Sequence, residues 1–381
     1  MSAQADRIVL GDGKPVDPAG VEAAFTGLWR EAGGKFAGGS ESSVVRACLW
    51  NLVAHLPGPS AGLTQVKRLD KLLDDLTQGI PSRVIRLQSR DPETAPKGTD
   101  VQAWVATHCH PNTSGGGTVN AEEVTLAAYG EVGASHFPPL VRALRVPDLP
   151  MALLWLHSLP PKGRLVGQLM QSADRMIVDS HFMPEKGSLV ALQYMRRSAA
   201  AFSDLGWMRL TPMRYLIAKL FDPPGHAENL GKLDGVEVEV TPDGLNEGFL
   251  LLGWILSRSG YGDYKAIDQG GAKDRFRWHV RRGNRTFPVD LSTRTDFKGE
   301  DYDGILRCTI QAGGGRYGMA QVDEEHVSLE SPHHVEHHVA LHGWEDAELI
   351  ISALQGVGTD RIYTEALAVA AKLMDTEAWN Q

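Results

Sequence analysis

The chain has 381 residues, a length that favours two or three domains with cores of their own. Hydrophobic residues make up 42% of it and charged residues 22%, which excludes an intrinsically disordered chain and indicates a folded globular protein. The formal net charge of −9 argues against a nucleic-acid binder that depends on phosphate contacts, because such a protein needs an excess of lysine and arginine.

The N-terminal stretch MSAQADRIVLGDGKPVDPAG lacks a basic segment followed by a long apolar run, so we expect no secretory signal. No window approaches ~18 consecutive apolar residues, so we expect no membrane-spanning helix. The three widely spaced cysteines, Cys48, Cys109 and Cys308, fit free thiols in a reducing compartment better than a disulfide framework. These features predict a cytoplasmic protein with no nucleic-acid or membrane partner.

The first half of the chain alternates between helical and strand patterns. The segment 150–157 is apolar on both faces, which is typical of a covered central strand. We therefore predict an α/β N-terminal domain with three layers and a mixed or mostly parallel sheet. Its predicted elements are helices at 21–32, 64–79 and 164–174, strands at 82–89, 101–108, 122–129, 150–157 and 176–179, and an apolar run of uncertain type at 43–56.

The second half has hairpin patterns between helices. These predict an α+β C-terminal domain with helices on a mostly antiparallel sheet. We place the boundary near 198–203, which gives domains 1–198 and 199–381. The predicted elements are a helix capped by Thr211, a strand at 236–240, a helix at 244–260, a hairpin at 275–292, strands at 304–312 and 317–329, and helices at 344–355 and 361–375.

The segment SPHHVEHHVALH contains histidines spaced four apart, among them His334, His338 and His342. On a helix, this spacing places imidazoles on one face, where they could share a metal. The motif HExxH is absent, and no further ligand with a recognised spacing accompanies them. We therefore favour a solvated, histidine-rich segment and expect no metal.

In THCHP, His108, Cys109 and His110 are adjacent at the end of a predicted strand. Neighbouring strand residues point to opposite faces, which disfavours Cys109 and either histidine as a nucleophile and its base. An exposed Cys109 would be the best candidate for a redox-sensitive thiol, because an imidazolium lowers the pKa of a nearby thiol. We favour a small, buried apolar role for it.

The glycine clusters at 114–118 and 312–318 match neither GxxxxGK[ST] nor a GxGxxG that opens a helix. No G-x-S-x-G elbow and no kinase motif set is present either. The sequence therefore predicts no cofactor.

Polar residues follow two predicted buried strands: His157 follows one, and Asp179 and Ser180 follow the other. Ligands of parallel sheets bind beyond the carboxyl ends of the strands, so a sugar or sugar phosphate could bind here. The favoured alternative is that Asp179 and Ser180 cap the next turn. A sugar-phosphate sensor or enzyme that uses the α/β domain remains the alternative function.

The stretch GWMRLTPMRYLIAKLFD (206–222) resembles a signature of the OpcA family, the glucose-6-phosphate dehydrogenase assembly proteins of bacteria, which typically show a stretch like NWARLTPWRELIAQFFD. Four more blocks resemble the family in the same order, so the resemblance spans most of the chain. Leu156, Met213 and Tyr215 stand where the family has Trp, Trp and Glu. The further blocks are PSRVI (81–85), VPDLPMALLWL (146–156), LVGQLMQSADRMIVDS (165–180) and FLLLGWILSRSGY (249–261).

The resemblance implies a non-catalytic accessory protein of the oxidative pentose phosphate pathway, which supplies NADPH. Such a protein binds glucose-6-phosphate dehydrogenase, promotes its assembly into oligomers and activates it allosterically. The resemblance carries over no catalytic residue, and self-association stays open.

Four side chains are our candidates for the interface with the dehydrogenase, because aromatic rings and arginines are favoured at hot spots: Trp207, Arg209, Arg214 and Tyr215. Leu216, Leu220 and Phe221 are expected to hold the same helix in the core.

Overall fold

A computed structural model of the chain describes residues 8–11, 13–36, 48–58, 63–111, 118–261, 265–268, 275–282, 284–295, 303–332 and 334–375. The helices are α1 (Val21–Phe36), α2 (Leu63–Gly79), α3 (Gly130–Ala134), α4 (Phe137–Leu144), α5 (Arg164–Ser172), α6 (Ser188–Arg196), α7 (Leu205–Arg209), α8 (Thr211–Lys219), α9 (Leu245–Arg258), α10 (Asp346–Gln355) and α11 (Arg361–Met374). The strands are β1 (Ile8–Leu10), β2 (Trp50–Leu56), β3 (Ser82–Arg90), β4 (Val101–Pro111), β5 (Thr118–Tyr129), β6 (Met151–Trp155), β7 (Arg175–Val178), β8 (Phe202–Asp204), β9 (Leu233–Val240), β10 (Lys265–Asp268), β11 (Arg275–Arg282), β12 (Arg285–Thr293), β13 (Ile305–Ala312), β14 (Gly315–Gln321), β15 (His326–Ser331) and β16 (His334–Ala340).

The chain divides into two compact units, and each is assembled from separate segments of sequence. Unit 1 comprises the described residues of Met1–Val178, Ser198–Ser203 and Asp346–Gly358. Unit 2 comprises those of Asp179–Arg197, Asp204–Glu345 and Thr359–Gln381. None of the helices in the described ranges combines the length and apolar character that a membrane crossing requires.

Unit 1 is built on an eight-stranded sheet with the strand order β1-β4-β5-β3-β2-β6-β7-β8. The strands from β5 to β7 pair in parallel, whereas β1 with β4 and β4 with β5 pair antiparallel. Every residue of β6 and β7 is buried, because these strands are covered on both faces. The predicted α/β domain with a mostly parallel sheet is confirmed, and the uncertain run at 43–56 contains β2.

Unit 2 is built on a second eight-stranded sheet, with the order β10-β11-β12-β9-β13-β14-β15-β16. Of its described pairings, only that between β9 and β12 is parallel. Alternate residues of β9, Val236, Val238 and Val240, are buried, and α9 packs near them. The predicted α+β domain with helices on a mostly antiparallel sheet is confirmed.

One glycine allows α9 to pack closely against α11. A Cβ atom at Gly253 would lie 2.2 Å from the carbonyl oxygen of Ala366, far inside contact distance. Any larger residue at 253 would therefore push the two helices apart. Sequence patterns predicted both helices but not this close contact.

The core of unit 1 contains a buried ion pair. Arg83 on β3 and Glu122 on β5 are fully buried, and Nη2 of Arg83 lies 2.5 Å from Oε2 of Glu122. Trp29 donates from Nε1 to the other carboxylate oxygen at 2.7 Å, and Arg83 also donates to the Leu144 carbonyl and pairs with Glu22. These contacts join α1 and the end of α4 to the middle of the sheet.

We expect Arg83→Met to lower the free energy of unfolding of unit 1 by about 3–5 kcal/mol, because it leaves the charge of Glu122 buried without its cation. The double variant Arg83→Met/Glu122→Gln should recover part of that loss, since it removes both charges. Urea unfolding is the measurement.

The matched control is Lys71→Met, which breaks an exposed pair with Asp75 on α2 and should cost below about 0.5 kcal/mol. Equal losses for the Arg83 single and double variants would contradict the explanation.

Candidate functional site

The segment that carries all four interface candidates folds as α7 and α8, which meet at Leu210. The Asp204 carboxylate accepts a hydrogen bond from the Gly206 N–H and so caps α7. Pro212 lies in the first turn of α8, where its missing N–H costs nothing. The expectation that Thr211 is the N-cap is wrong, because Leu210 holds that position and Thr211 already lies in the helix.

Trp207 is a centre of packing in unit 2. Only 2% of it is exposed, and its Nε1 donates to Oδ2 of Asp360 at 2.9 Å. The Arg214 guanidinium carbon lies 3.4 Å from the centre of the indole, a cation–π contact. Burial lowers the pKa of Arg214 to about 10, although the nearby Asp360 carboxylate opposes the shift. The buried Trp207 ring thus fixes the position of the Arg214 guanidinium that is stacked on it.

Arg209 and Asp179 bind each other. The two guanidinium nitrogens lie 2.8 Å and 2.7 Å from the two carboxylate oxygens, a bidentate pair. Asp179 is completely buried, and Arg209 is about a quarter exposed. The structure therefore brings together one interface candidate and one small-ligand candidate as partners in an ion pair.

Tyr215 is the exposed member of the interface set. It is 62% exposed on α8, and the Lys219 ammonium lies 5.6 Å from its ring. Leu216 and Leu220 are buried on the other side, and Phe221 stacks on Tyr317 with ring centres 4.2 Å apart. α8 is thus held in the core by the residues that the sequence predicts for this purpose, while Tyr215 faces solvent.

Asp204 lies in a largely buried polar cluster, defined as Asp179, Ser180, His181, Asp204, Arg209 and Glu247 with their partners Asn246, Asp303 and Tyr363. The Asp204 carboxylate accepts from the Ser180 N–H at 2.9 Å and from the Tyr363 hydroxyl at 3.1 Å. Burial, and next the Asp179 charge, raise the pKa of Asp204 to about 6 against these hydrogen bonds.

His181 is clamped between two carboxylates. Its Nδ1 lies 2.9 Å from Oε1 of Glu247, and its Nε2 lies 3.2 Å from Oδ2 of Asp303. Burial alone lowers the pKa of His181, but the hydrogen bonds with Asp303 and Glu247 outweigh it and raise the pKa to about 10. The imidazole is therefore a fixed cation at neutral pH, and it links the turn after β7 to α9.

His157 belongs to unit 1, just past the carboxyl end of β6. Its Nε2 lies 2.9 Å from Nδ1 of His55, and its Nδ1 lies 2.9 Å from the Ser158 hydroxyl. His55 stacks on Trp155 with ring centres 3.8 Å apart. Burial lowers the pKa of His157 to about 4 and, with His157 nearby, that of His55 to about 3. Both rings are neutral at pH 7 and bring no positive charge to an anionic ligand.

The histidine-rich segment forms strand β16, paired antiparallel with β15, rather than a helix. Its Val335 and Val339 alternate as β-branched residues in a strand do. His342 follows the strand and is exposed; the side chains of His334 and His338 lie outside the described residues. Within the described part of the chain, no group of three or more His, Cys, Asp or Glu side chains is placed to hold a metal.

Cys109 is buried on β4, and burial raises the pKa of its thiol. His108 is also buried, and its Nε2 lies 3.3 Å from Oε2 of Glu123. The side chain of His110 lies outside the described residues. Cys109 therefore fits the small apolar role, because a reactive thiol needs exposure and a lowered pKa.

Two family models match consecutive parts of the chain, and both describe the glucose-6-phosphate dehydrogenase subunit. Residues 74–197 match its N-terminal domain, and residues 200–367 match its C-terminal domain. The chain belongs to the OpcA family. The resemblance found in the sequence blocks is thereby confirmed.

Two curated OpcA relatives carry the name "Putative OxPP cycle protein OpcA". The Nostoc punctiforme protein is 26% identical over 229 residues, which cover 58% of this chain and 47% of the relative. The Synechococcus elongatus protein is 28% identical over 177 residues, 46% of this chain and 39% of the relative. The chain thus spans about half the length of the curated relatives it matches, or less.

Among solved structures, the super-repressor mutant of Gal80p from Saccharomyces cerevisiae is 10% identical, with a TM-score of 0.49 over 88% of this chain and 97% of that one.

Sequence reasoning about this OpcA member singled out Asp179, Ser180 and Arg209 but missed Asp204, Glu247 and the cluster that they form together. One signal was present: Asn246 and Glu247 stand in the otherwise apolar stretch of α9, and both are buried. A carboxylate on an apolar helix face needs a partner, because an unpaired buried charge is costly. The sequence does not say that this partner is His181, which lies 66 positions earlier.

We expect His181 to stabilise unit 2 most below pH 6.5, its ordinary pKa, because its folded-state pKa is raised. This contribution should be lost as the pH rises through about 10. His181→Gln should therefore destabilise unit 2 by a few kcal/mol at neutral pH and by progressively less at higher pH. A difference between variant and parent that stays constant from pH 7 to above 10 would contradict the clamped cation.

Asp204 is a second group whose folded-state pKa is raised, so its contribution to stability should also fall as the pH rises. Its folded-state pKa of about 6 exceeds its ordinary value of 3.8, so the stability it confers on unit 2 is complete below pH 3.8 and is lost as the pH rises through about 6. Asp204→Asn keeps an acceptor oxygen for the α7 cap and should abolish roughly 1–2 kcal/mol of this pH dependence between about pH 5 and 7. If the free energy of unfolding of the variant and of the parent changed equally with pH over that range, a raised pKa of Asp204 would be ruled out.

Proposed function

We propose that this OpcA member is a non-catalytic accessory protein that binds glucose-6-phosphate dehydrogenase. Binding promotes the oligomeric assembly of the dehydrogenase and activates it allosterically in the oxidative pentose phosphate pathway. The observation that carries the proposal is the pair of family matches, which together run from residue 74 to residue 367 and name the dehydrogenase in both halves.

The side chains around α8 support a protein-binding surface in unit 2. Tyr215 on α8 and Tyr194 on α6 are both more than 60% exposed. Each carries a cation beside its ring, Lys219 for Tyr215 and Arg197 for Tyr194. Exposed aromatic rings with adjoining cations are the side-chain types enriched at interface hot spots.

The start of α11 lies close to Trp207, on which the neighbour of Tyr215 is stacked, and α11 also packs against the helix that carries Tyr194. α11 packs against α6, and its N-cap Asp360 binds the Trp207 indole. Tyr363 in the first turn lies 5.7 Å from the Trp207 ring, centre to centre. We define the aromatic surface as Tyr194, Tyr215 and the exposed Ile362 at the start of α11.

We assign different roles to the four interface candidates. Tyr215 contacts the dehydrogenase directly, and Arg214 lies beside it with its guanidinium seated on Trp207. Trp207 and Arg209 do not contact the dehydrogenase but hold the helices in place, because Trp207 is buried and Arg209 is paired with Asp179. A surface that is already fixed in place loses little conformational entropy on binding.

An interface of this kind is sufficient for activation. An effector must bind the active state of its target more tightly than the inactive state, and a tenfold shift needs only about 1.4 kcal/mol of differential affinity. Two titratable groups of unit 2 with strongly shifted pKa values bind other residues of the same unit: His181 is paired with two carboxylates, and Asp204 with Ser180 and Tyr363. Such mutual pairing supports a structural use of these groups.

We expect the protein and the dehydrogenase of the same cell to form a mixed complex in size-exclusion light scattering, with raised dehydrogenase activity. Tyr215→Ala and Tyr194→Ala should each weaken binding about 30-fold, the loss of a hot spot worth about 2 kcal/mol. Both positions are exposed, so the stability of unit 2 should change little.

The matched control is Trp344→Ala, an exposed aromatic residue of the same unit. Trp344 lies away from α8. The N–H of Leu341, three residues before it, donates to the Glu325 carbonyl after β14, whereas Phe221 after α8 stacks on Tyr317 near the start of β14. Trp344→Ala should bind as the parent does. The absence of both a complex and activation would overturn the proposed function, and an equal loss for all three variants would overturn the placement of the surface.

A further inference from the structure

The second sheet has one face against helices and one face open to solvent. α9 packs on the first face, where Leu291 and Val240 meet Gly248. The open face presents side chains from the strands between β11 and β15. Arg275, Arg307 and Arg316 on this face are each about half exposed.

The open face is a lattice of charges of both signs. Arg277 and Arg275 lie 2.7 Å and 3.1 Å from Asp290, and Arg307 lies 3.4 Å from Glu239. The lattice contains five arginines and four carboxylates, so it is nearly neutral on a chain of net charge −9. Two copies that meet at a nearly neutral patch avoid the repulsion that the net negative charge of the chain would otherwise cause. The members are Arg275, Arg277, Arg294, Arg307, Arg316, Glu237, Glu239, Asp290 and Glu330.

Two glycines lie at the centre of the open face. Gly235 and Gly318 flank the central strand β13, opposite Gln311 and Thr309 respectively. A Cβ atom at either glycine would meet its own chain only at 3.5 Å or beyond, an ordinary contact, and neither has a positive φ. The fold itself therefore does not require glycine there, although glycine weakens a strand. A second backbone that approaches from outside would require it.

The dimensions of the face suit a stable dimer. The six strands from β11 to β15 span about 29 Å, and about six residues along each strand span about 20 Å, which gives roughly 580 Å² per copy. Two copies would together bury about 1,200 Å², the lower end of the range for specific protein interfaces. Charges of both signs on one patch are what a two-fold, self-complementary contact needs, because each cation on one copy can meet an anion on the other.

We propose that the open face of the second sheet, centred on Gly235, β13 and Gly318, is the surface through which two copies of this chain associate. This self-association is independent of the dehydrogenase and of the aromatic surface around α8.

Sedimentation velocity of the protein alone, over a concentration series, tests the proposal. The parent should form a dimer, and Gly318→Arg should raise the dissociation constant at least about 100-fold, or about 2.7 kcal/mol. The new side chain has room in its own chain and lies beside Glu330, so the melting temperature should hold or rise. Gly235→Arg on β9 is a second variant with the same expected result.

Gly167→Arg is the matched control, because it adds the same charge on α5 of unit 1, where a Cβ atom meets nothing within 4 Å. It should leave the dimer intact. A parent that stays monomeric, or a Gly318→Arg protein that dimerises as the parent does, overturns the proposal. A monomeric parent whose complex with the dehydrogenase is lost in Gly318→Arg would instead assign the face to that enzyme. Dimerisation of the parent without dehydrogenase binding would overturn only the proposed function.

Discussion

The structure depends on the pairing of buried charges, because each buried ionised side chain needs a partner of opposite charge or a hydrogen bond. Asp179 lies at 0% exposure directly after β7, where an unpaired carboxylate would cost several kcal/mol. Two guanidinium nitrogens of Arg209 donate to the Asp179 carboxylate and thereby fix the end of α7 against the turn after β7. Asp204, at the other end of the same short helix, is bound by Ser180 and Tyr363. α7 is only five residues long and has little helical stability of its own, so these two carboxylates determine where it lies.

Rigid placement of α7 and α8 would favour the proposed binding role. Trp207 between Asp360 and Arg214 connects the buried pairs to the helix that presents Tyr215. A binding partner then meets side chains that are already ordered, so more of the contact energy remains to discriminate between the states of that partner. Buried polar groups are also paired in unit 1. There His55 and His157 contact each other as neutral rings, because burial lowers the pKa of both.

Much of the fold could be predicted from the sequence, because periodicity reports burial directly. The apolar run at 150–157 predicts a covered strand, and the spacing of leucines at 64–79 predicts α2; both are present. The histidine-rich segment was harder, since a four-residue spacing fits a helix face and one face of a strand equally well, and its pairing with β15 decides the matter. The polar cluster could not be derived, because His181, Glu247 and Asp303 meet only through tertiary packing. The exposed Tyr215 and the buried Trp207 carry the same sequence signal, and only packing separates their roles.

The discontinuous make-up of unit 1 has a consequence for biosynthesis. α10 belongs to unit 1, where Ile351 reaches Gly79 and Asp346 pairs with Arg68 of α2, yet it leaves the ribosome after most of unit 2. A nascent chain that stops short of Asp346 leaves this side of α2 without its cover. Until α10 has been synthesised, this side of α2 stays uncovered, and α10 completes a layer whose partner Arg68 lies 278 positions before Asp346.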